Sequence, residues 1–226
     1  MPAATRRHIH LLKLRLLDDD AALRAARTEP CLTRTRLLQH AVVGGGAVIA
    51  GGVLLGGLPP VAVAARSPEQ DVRILNLTLL LEELEAAFYA DAEDRGALRG
   101  ELAEFARIVG DHERAHVAFL RKALGDRAEP RPTFDFGNTT SDPNRFAVTS
   151  AMLEDTGIAA YNGQAVNLTK PVLKAAATIV SVEARHAAWI RDIVGQPAAP
   201  DATDKPATER QVRARVARTG FVKGSG

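Results

Sequence analysis

The chain has almost no cysteine. Its one thiol, Cys31, can form neither an internal disulfide nor a cysteine metal site. It also precedes the apolar run of residues 41–58, whereas a lipoprotein attachment point would follow that run. Aromatic residues are scarce, at 4%, and no stretch alternates β-branched with polar residues, which excludes a sandwich or barrel. An excess of charge of one sign is missing too. The net charge is +2, with Lys/Arg and Asp/Glu interspersed, so there is no basic footprint for nucleic acid. What remains is a chain of 226 residues, 46% hydrophobic and rich in Ala and Leu, long enough to bury one sizeable core. The class is all-α.

Residues 1–36 are basic, with Arg6, Arg7, Lys13, Arg15, Arg24, Arg27, Arg34 and Arg36. An uncharged, glycine-rich stretch, Ala41 to Leu58, leads to Ala62-Val63-Ala64. A basic region, an apolar region and Ala-x-Ala form an export signal, with cleavage expected after Ala64. The apolar length also suits one membrane span, so a retained anchor stays open as the sole membrane contact. Thr33-Arg34-Thr35-Arg36-Leu37-Leu38 is a degenerate twin-arginine pattern, which leaves both the general secretory and the twin-arginine routes open. The expected location is the periplasm, cell envelope or extracellular space.

Residues 67–195 hold four helical stretches. The first begins at the cap Ser67-Pro68-Glu69 and runs to Arg95, and Gly96 and Gly100 bracket a short joint. The second runs from Glu101 to Leu124 and stops at Gly125. Residues 125–143, with Pro130, Pro132, Pro143 and Gly137, read as a long surface loop. The third helix spans Asn144 to Leu168, and Thr169-Lys170-Pro171 turns the chain into the fourth, which ends near Gly195. Short joints flanking one long crossover, between the second and third helices, specify a four-helix bundle with a single crossover connection. Residues 196–226 read as a linker, a short helix over Thr208–Arg218 and a tail in which Phe221-Val222 docks back on the bundle.

The fourth helix carries the informative pattern. Val172, Ala176, Ile179, Glu183, His186, Ile190 and Ile193 recur at spacings of four and three, the core-facing stripe of a bundle helix. A carboxylate and an imidazole on that stripe must be compensated, because an unpaired buried charge costs several kcal/mol. The pattern occurs twice. Glu113-Arg114-Ala115-His116 to Arg121 matches Glu183-Ala184-Arg185-His186 to Arg191 at an offset of 70 residues. With 13 Glu and 6 His, random placement gives roughly 0.3 Glu-x-x-His pairs.

The other two helices supply one carboxylate each. Glu154 lies on the stripe Ala147, Ala151, Glu154, Ile158, Tyr161. Leu153-Glu154 with Tyr161 matches Leu81-Glu82 with Tyr89 at an offset of 72, which selects Glu82 over its neighbours. Glu85 corresponds to Gly157 and reads as an outer carboxylate, and Glu83 as a solvated one. The expected donors are Glu82, Glu113, His116, Glu154, Glu183 and His186. Four carboxylates and two neutral imidazoles balance two divalent cations and suit two Fe or Mn ions. Tyr89 and Tyr161, two turns from the carboxylates, are placed to hydrogen-bond the opposite ligands. Trp189 and Phe119 read as core filling.

Two other readings stand beside this one. The buried Glu and His residues could simply hydrogen-bond one another in a metal-free structural or stress-protective bundle. His112-Glu113-Arg114-Ala115-His116 is also a literal zinc-protease motif, although its repeat copy has Val182 where the first histidine should be. In the two-metal reading His112 flanks the site.

The segments Leu75 to Tyr89, Asp111-His112-Glu113-x-x-His116, Leu153 to Tyr161 and Glu183-x-x-His186 resemble those of the exported bacterial ferritin-like domain family, which includes desiccation-related proteins. The resemblance covers residues 68–195. It implies the ferritin-like bundle and the same six residues as ligands. The expected role is iron oxidation or protection against oxidative or desiccation stress, with metal ions and O2 or peroxide as partners. A homo-oligomer is compatible with it, and no 24-subunit cage is indicated.

Overall fold

The computed structural model describes residues 66–225. The expected export region, residues 1–64, lies outside them. Four long helices form the body: α1 (Pro68–Arg95), α2 (Gly100–Leu124), α3 (Pro143–Ala165) and α4 (Lys170–Ile193). A short α5 (Glu209–Thr219) follows, and two short strands, β1 (Pro132–Phe134) and β2 (Val222–Ser225), pair antiparallel.

α1 and α3 start where their sequences provide a side-chain cap. Ser67 Oγ accepts from the Gln70 amide at 3.2 Å ahead of Pro68. Asp142 accepts from the amides of Asn144 and Arg145 at 2.9 and 3.0 Å ahead of Pro143. At α4 the cap is itself held. Asp71, on α1, accepts from the Thr169 amide at 2.9 Å and its hydroxyl at 2.5 Å, tying the α3–α4 joint to the start of α1. α3 stops at Ala165, short of the expected Leu168, because the amides of Asn167 and Leu168 turn back to the carbonyls three residues before them.

α1 packs on α2 and α3 on α4 as two hairpins, and the hairpins face each other. The apolar side chains divide into two clusters. One is aromatic, built on Phe88, Tyr89, Phe105 and Phe146. The other is mainly aliphatic, built on Ile74, Leu75, Leu79, Leu120 and Ile179 around Tyr161. The Glu and His residues lie at mid-helix, between the two.

The crossover is more ordered than a surface loop. Asn76, buried on α1, donates to the Arg127 carbonyl at 3.0 Å and accepts from the Glu129 amide at 2.8 Å. β1 then runs beside α1, and Phe136 packs edge-on against Phe88 at 5.4 Å. The tail docks as expected. The Ala207 amide donates to the Ala159 carbonyl at 2.8 Å, Val212 and Val216 are buried, and Phe221 lies 5.1 Å from Phe136.

Packing around α1 corrects one expectation. Glu83 is 2% exposed rather than solvated, and it takes an ion pair from Arg121. α1 has almost no outer face, since α2, α3 and β1 all pack on it. Phe119 is a second correction: it is 45% exposed rather than core filling. Trp189 does fill the core edge, packing on Phe105 at 5.2 Å and donating its indole N–H to Glu101 at 3.1 Å.

Candidate metal centre

The stripes of the four helices meet at one place. Glu82, Glu113, Glu154 and Glu183 are each at most 1% exposed, and His186 is 3% exposed. His116 is half-buried and reaches the same centre. Its Nδ1 lies 3.2 Å from Glu82, 3.1 Å from Glu113 and 3.1 Å from Glu183. His186 Nδ1 lies 3.0 Å from Glu113 and 3.3 Å from Glu154. All six donors expected from the sequence are therefore brought together.

They form two overlapping sets. Glu82, Glu113, His116 and Glu183 each offer an atom within 4.8 Å of the others, and so do Glu113, Glu154, Glu183 and His186. Glu113 and Glu183, from α2 and α4, belong to both. Glu82 and His116 complete one set, Glu154 and His186 the other. This is the arrangement that the 70- and 72-residue offsets require if α1–α2 and α3–α4 are related by a pseudo-twofold axis. The tyrosines obey the same symmetry. Tyr161 donates to Glu82 Oε1 at 2.6 Å, and Tyr89 donates to Glu154 Oε1, each hydroxyl crossing to the opposite hairpin.

The donors fit cations better than they fit one another. Among the described residues, Glu113 Oε1, Glu154 Oε2, both oxygens of Glu183 and Nδ1 of His186 are buried without a hydrogen-bond partner. The short His186 distances above are thus contacts without hydrogen-bond alignment. Buried polar groups left unpaired in this way are rare and costly, so a protein that holds five such atoms in one place has another use for them. Four carboxylates balance two divalent cations, and carboxylate oxygen with imidazole nitrogen is a donor set that suits iron or manganese.

Without cations, protons must do the balancing. Burial pushes Glu113 up to about 7. Burial, reinforced by the charges of Glu113 and Glu82, raises Glu183 well above the carboxylate range. Burial opposes charge on both histidines, but the surrounding carboxylates, which accept from His116 and lie close beside His186, outweigh it and hold His116 at about 12 and His186 at about 10. Glu82 moves the other way, because bonds from His116, Glu113 and Tyr161 outweigh its burial.

His112 belongs to neither donor set. Its Nδ1 lies 2.9 Å from His186 Nε2, with the rings stacked at 5.1 Å. Only the neutral form of His186, donating Nε2–H to His112, would keep an Nδ1 lone pair facing the carboxylates, and that is the form a cation would bind. His112 and His116 do not share a partner, so the zinc-protease arrangement is not built.

Glu85 is 2% exposed, with Oε2 unpartnered, and faces Gly157, where a side-chain carbon would sit 3.7 Å from it. Burial and then the charge of Glu154 raise its carboxyl well above the usual range. It is a fifth carboxylate beside the donor sets rather than within them.

The family model for the ferritin-like domain matches residues 70–196, more than half of the chain. The chain belongs to the ferritin-like domain family. No curated protein gives a significant match. In this ferritin-like bundle the match begins two residues into α1 and ends just beyond α4, so it takes in every donor and leaves α5 and the small sheet outside.

Proposed function

We propose that the protein is an exported dinuclear iron or manganese protein that oxidises Fe²⁺ or consumes peroxide or O2 at the cell envelope, limiting oxidative damage. The observation that carries this reading is the pair of donor sets sharing Glu113 and Glu183. When bound, two such ions supply two electrons, the number that reduces one hydrogen peroxide, with two protons, to two waters.

The chain's own residues have defined parts in this reading. Glu113 and Glu183, which belong to both donor sets, would hold both ions. Glu82 with His116 and Glu154 with His186 close one end each. Tyr161 and Tyr89 orient Glu82 and Glu154 through one oxygen and leave the other directed inward. His112 fixes the ring of His186. The flanking apolar clusters keep bulk water away. Export rests on the basic leader, Ala41–Leu58 and Ala62-Val63-Ala64, all outside the described residues. Among the described residues, no helix is long and apolar enough to cross a membrane.

Loading the full chain with Fe²⁺ and following Fe³⁺ formation in air, or peroxide loss under argon, tests the activity. His186→Ala should abolish both while keeping the helical far-ultraviolet spectrum. Equal rates in the variant and the parent would contradict the proposal.

A further inference from the structure

The two halves of the bundle differ around their tyrosines. Tyr89 is walled by rings: Phe105 meets it edge-on at 5.8 Å and 77°, and Trp189 packs on Phe105 at 5.2 Å. The internal repeat carries Tyr89 to Tyr161 at the 72-residue offset, and Phe105 and Trp189 to Ala175 and Phe119 at the 70-residue offset. Ala175 has no ring to offer, and Phe119 is 45% exposed. The space that Phe105 fills in one half is left open in the other.

That space is a cavity of about 190 Å³ between α2 and α4, walled by Leu75, Leu120, Val172, Ala175 and Ile179 with the Tyr161 ring. Among the described residues no charged side chain lines it, and the Tyr161 hydroxyl already donates to Glu82. Apolar cavities of ~150 Å³ lined by aliphatic and aromatic side chains stay dry and take benzene. The volume exceeds what a diatomic gas needs and suits one ring. The chain itself shows how a ring packs there, since Phe105 occupies the matching position against Tyr89.

We propose that this cavity binds a small uncharged aromatic molecule, seated against Tyr161 as Phe105 is seated against Tyr89. The site does not depend on the metal reading. It touches that reading at one point, because a ring held on Tyr161 bears on the residue that orients Glu82.

Benzene is the probe. The full chain, labelled at its methyl groups, is titrated with benzene and followed by NMR. Saturable shifts confined to Leu75, Leu120, Val172 and Ile179 are expected. Ala175→Phe installs the residue of the other half and should weaken binding by at least about tenfold without lowering the melting temperature. Ala175→Leu, a smaller filling, should weaken it partly and serves if the larger ring disturbs the fold. Shifts that never saturate, or equal affinity in either folded variant, would overturn the proposal. So would shifts that arise with protein concentration alone and vanish in Phe119→Ser, since a second copy would then occupy the cavity.

Discussion

Glu183 carries two buried carboxylate oxygens and no hydrogen-bond donor for either, and this residue states the problem the site poses. If cations answer it, the tyrosines that hold its neighbours matter through orientation. Tyr161→Phe removes the hydroxyl from Glu82 and should weaken metal binding about 10–100-fold with little change in the helical spectrum. A chelator-competition titration measures it, and an unchanged affinity would tell against an orienting role. The same groups give the metal-free protein an unusual pH profile. Folded Glu113 keeps its proton to about 7 against an ordinary 4.5, and His116 to about 12 against 6.5. The folded chain then binds more protons than the unfolded one, so the stability from these groups is complete at acidic pH and is lost as pH rises. Glu82, lowered from 4.5, varies in its contribution only below that value and leaves the trend at higher pH unchanged. The melting temperature of the metal-free protein should fall from about pH 5 to about pH 9, and that of the loaded protein should fall much less. A metal-free protein that gains stability over that range would contradict the charge distribution. The six donors were legible because each breaks an apolar stripe, and a Glu or His does so visibly. Glu83 was not legible. Its burial comes from packing between helices, with Arg121 of α2 as its partner, and no spacing within α1 announces what will cover that face.

At the scale of the elements, local sequence placed all four long helices, because Ser67-Pro68, Asp142-Pro143, Gly96 and Gly125 are signals within a few residues, and the short helix expected over Thr208–Arg218 is α5. The β1–β2 pair had no such signal. Thr133 pairs with Gly224, 91 residues on, and neither strand alternates long enough to declare itself. What fixes that pairing is the tail's path along α3, and Gly163 sets the path. A methyl group there would fall 1.9 Å from the Ala207 carbonyl oxygen, a backbone atom that cannot rotate aside. Gly163→Ala should therefore lift the segment from Ala207 onward, exposing Val212 and Val216. Limited proteolysis should cut the variant between about residues 200 and 210 far faster than the parent, with the four-helix body left whole. Equal cleavage rates would mean that the tail is held independently of this contact.

The whole molecule is a doubled hairpin whose two halves share one polar centre. The 70- and 72-residue offsets disclosed that duplication, and the crossed tyrosine bonds follow from it. One departure from symmetry, Glu85 against Gly157, was read from the sequence, and the other, Phe105 against Ala175, emerged once the helices were packed. A lone carboxylate faces a glycine beside the centre, and a ring-sized cavity opens below one tyrosine. Family membership, the bundle and the convergence of the donors fit one account, in which α1–α4 exist to bury two cations between two apolar clusters. The most direct test is metal content. The full chain, purified metal-free, loaded with Fe²⁺ or Mn²⁺ and stripped of loosely bound ions by gel filtration, is analysed by mass spectrometry. The account predicts close to two ions per folded chain and a higher melting temperature than in the metal-free form. A well-folded chain that retains no ion from either solution, and melts at the same temperature with and without metal, would contradict it.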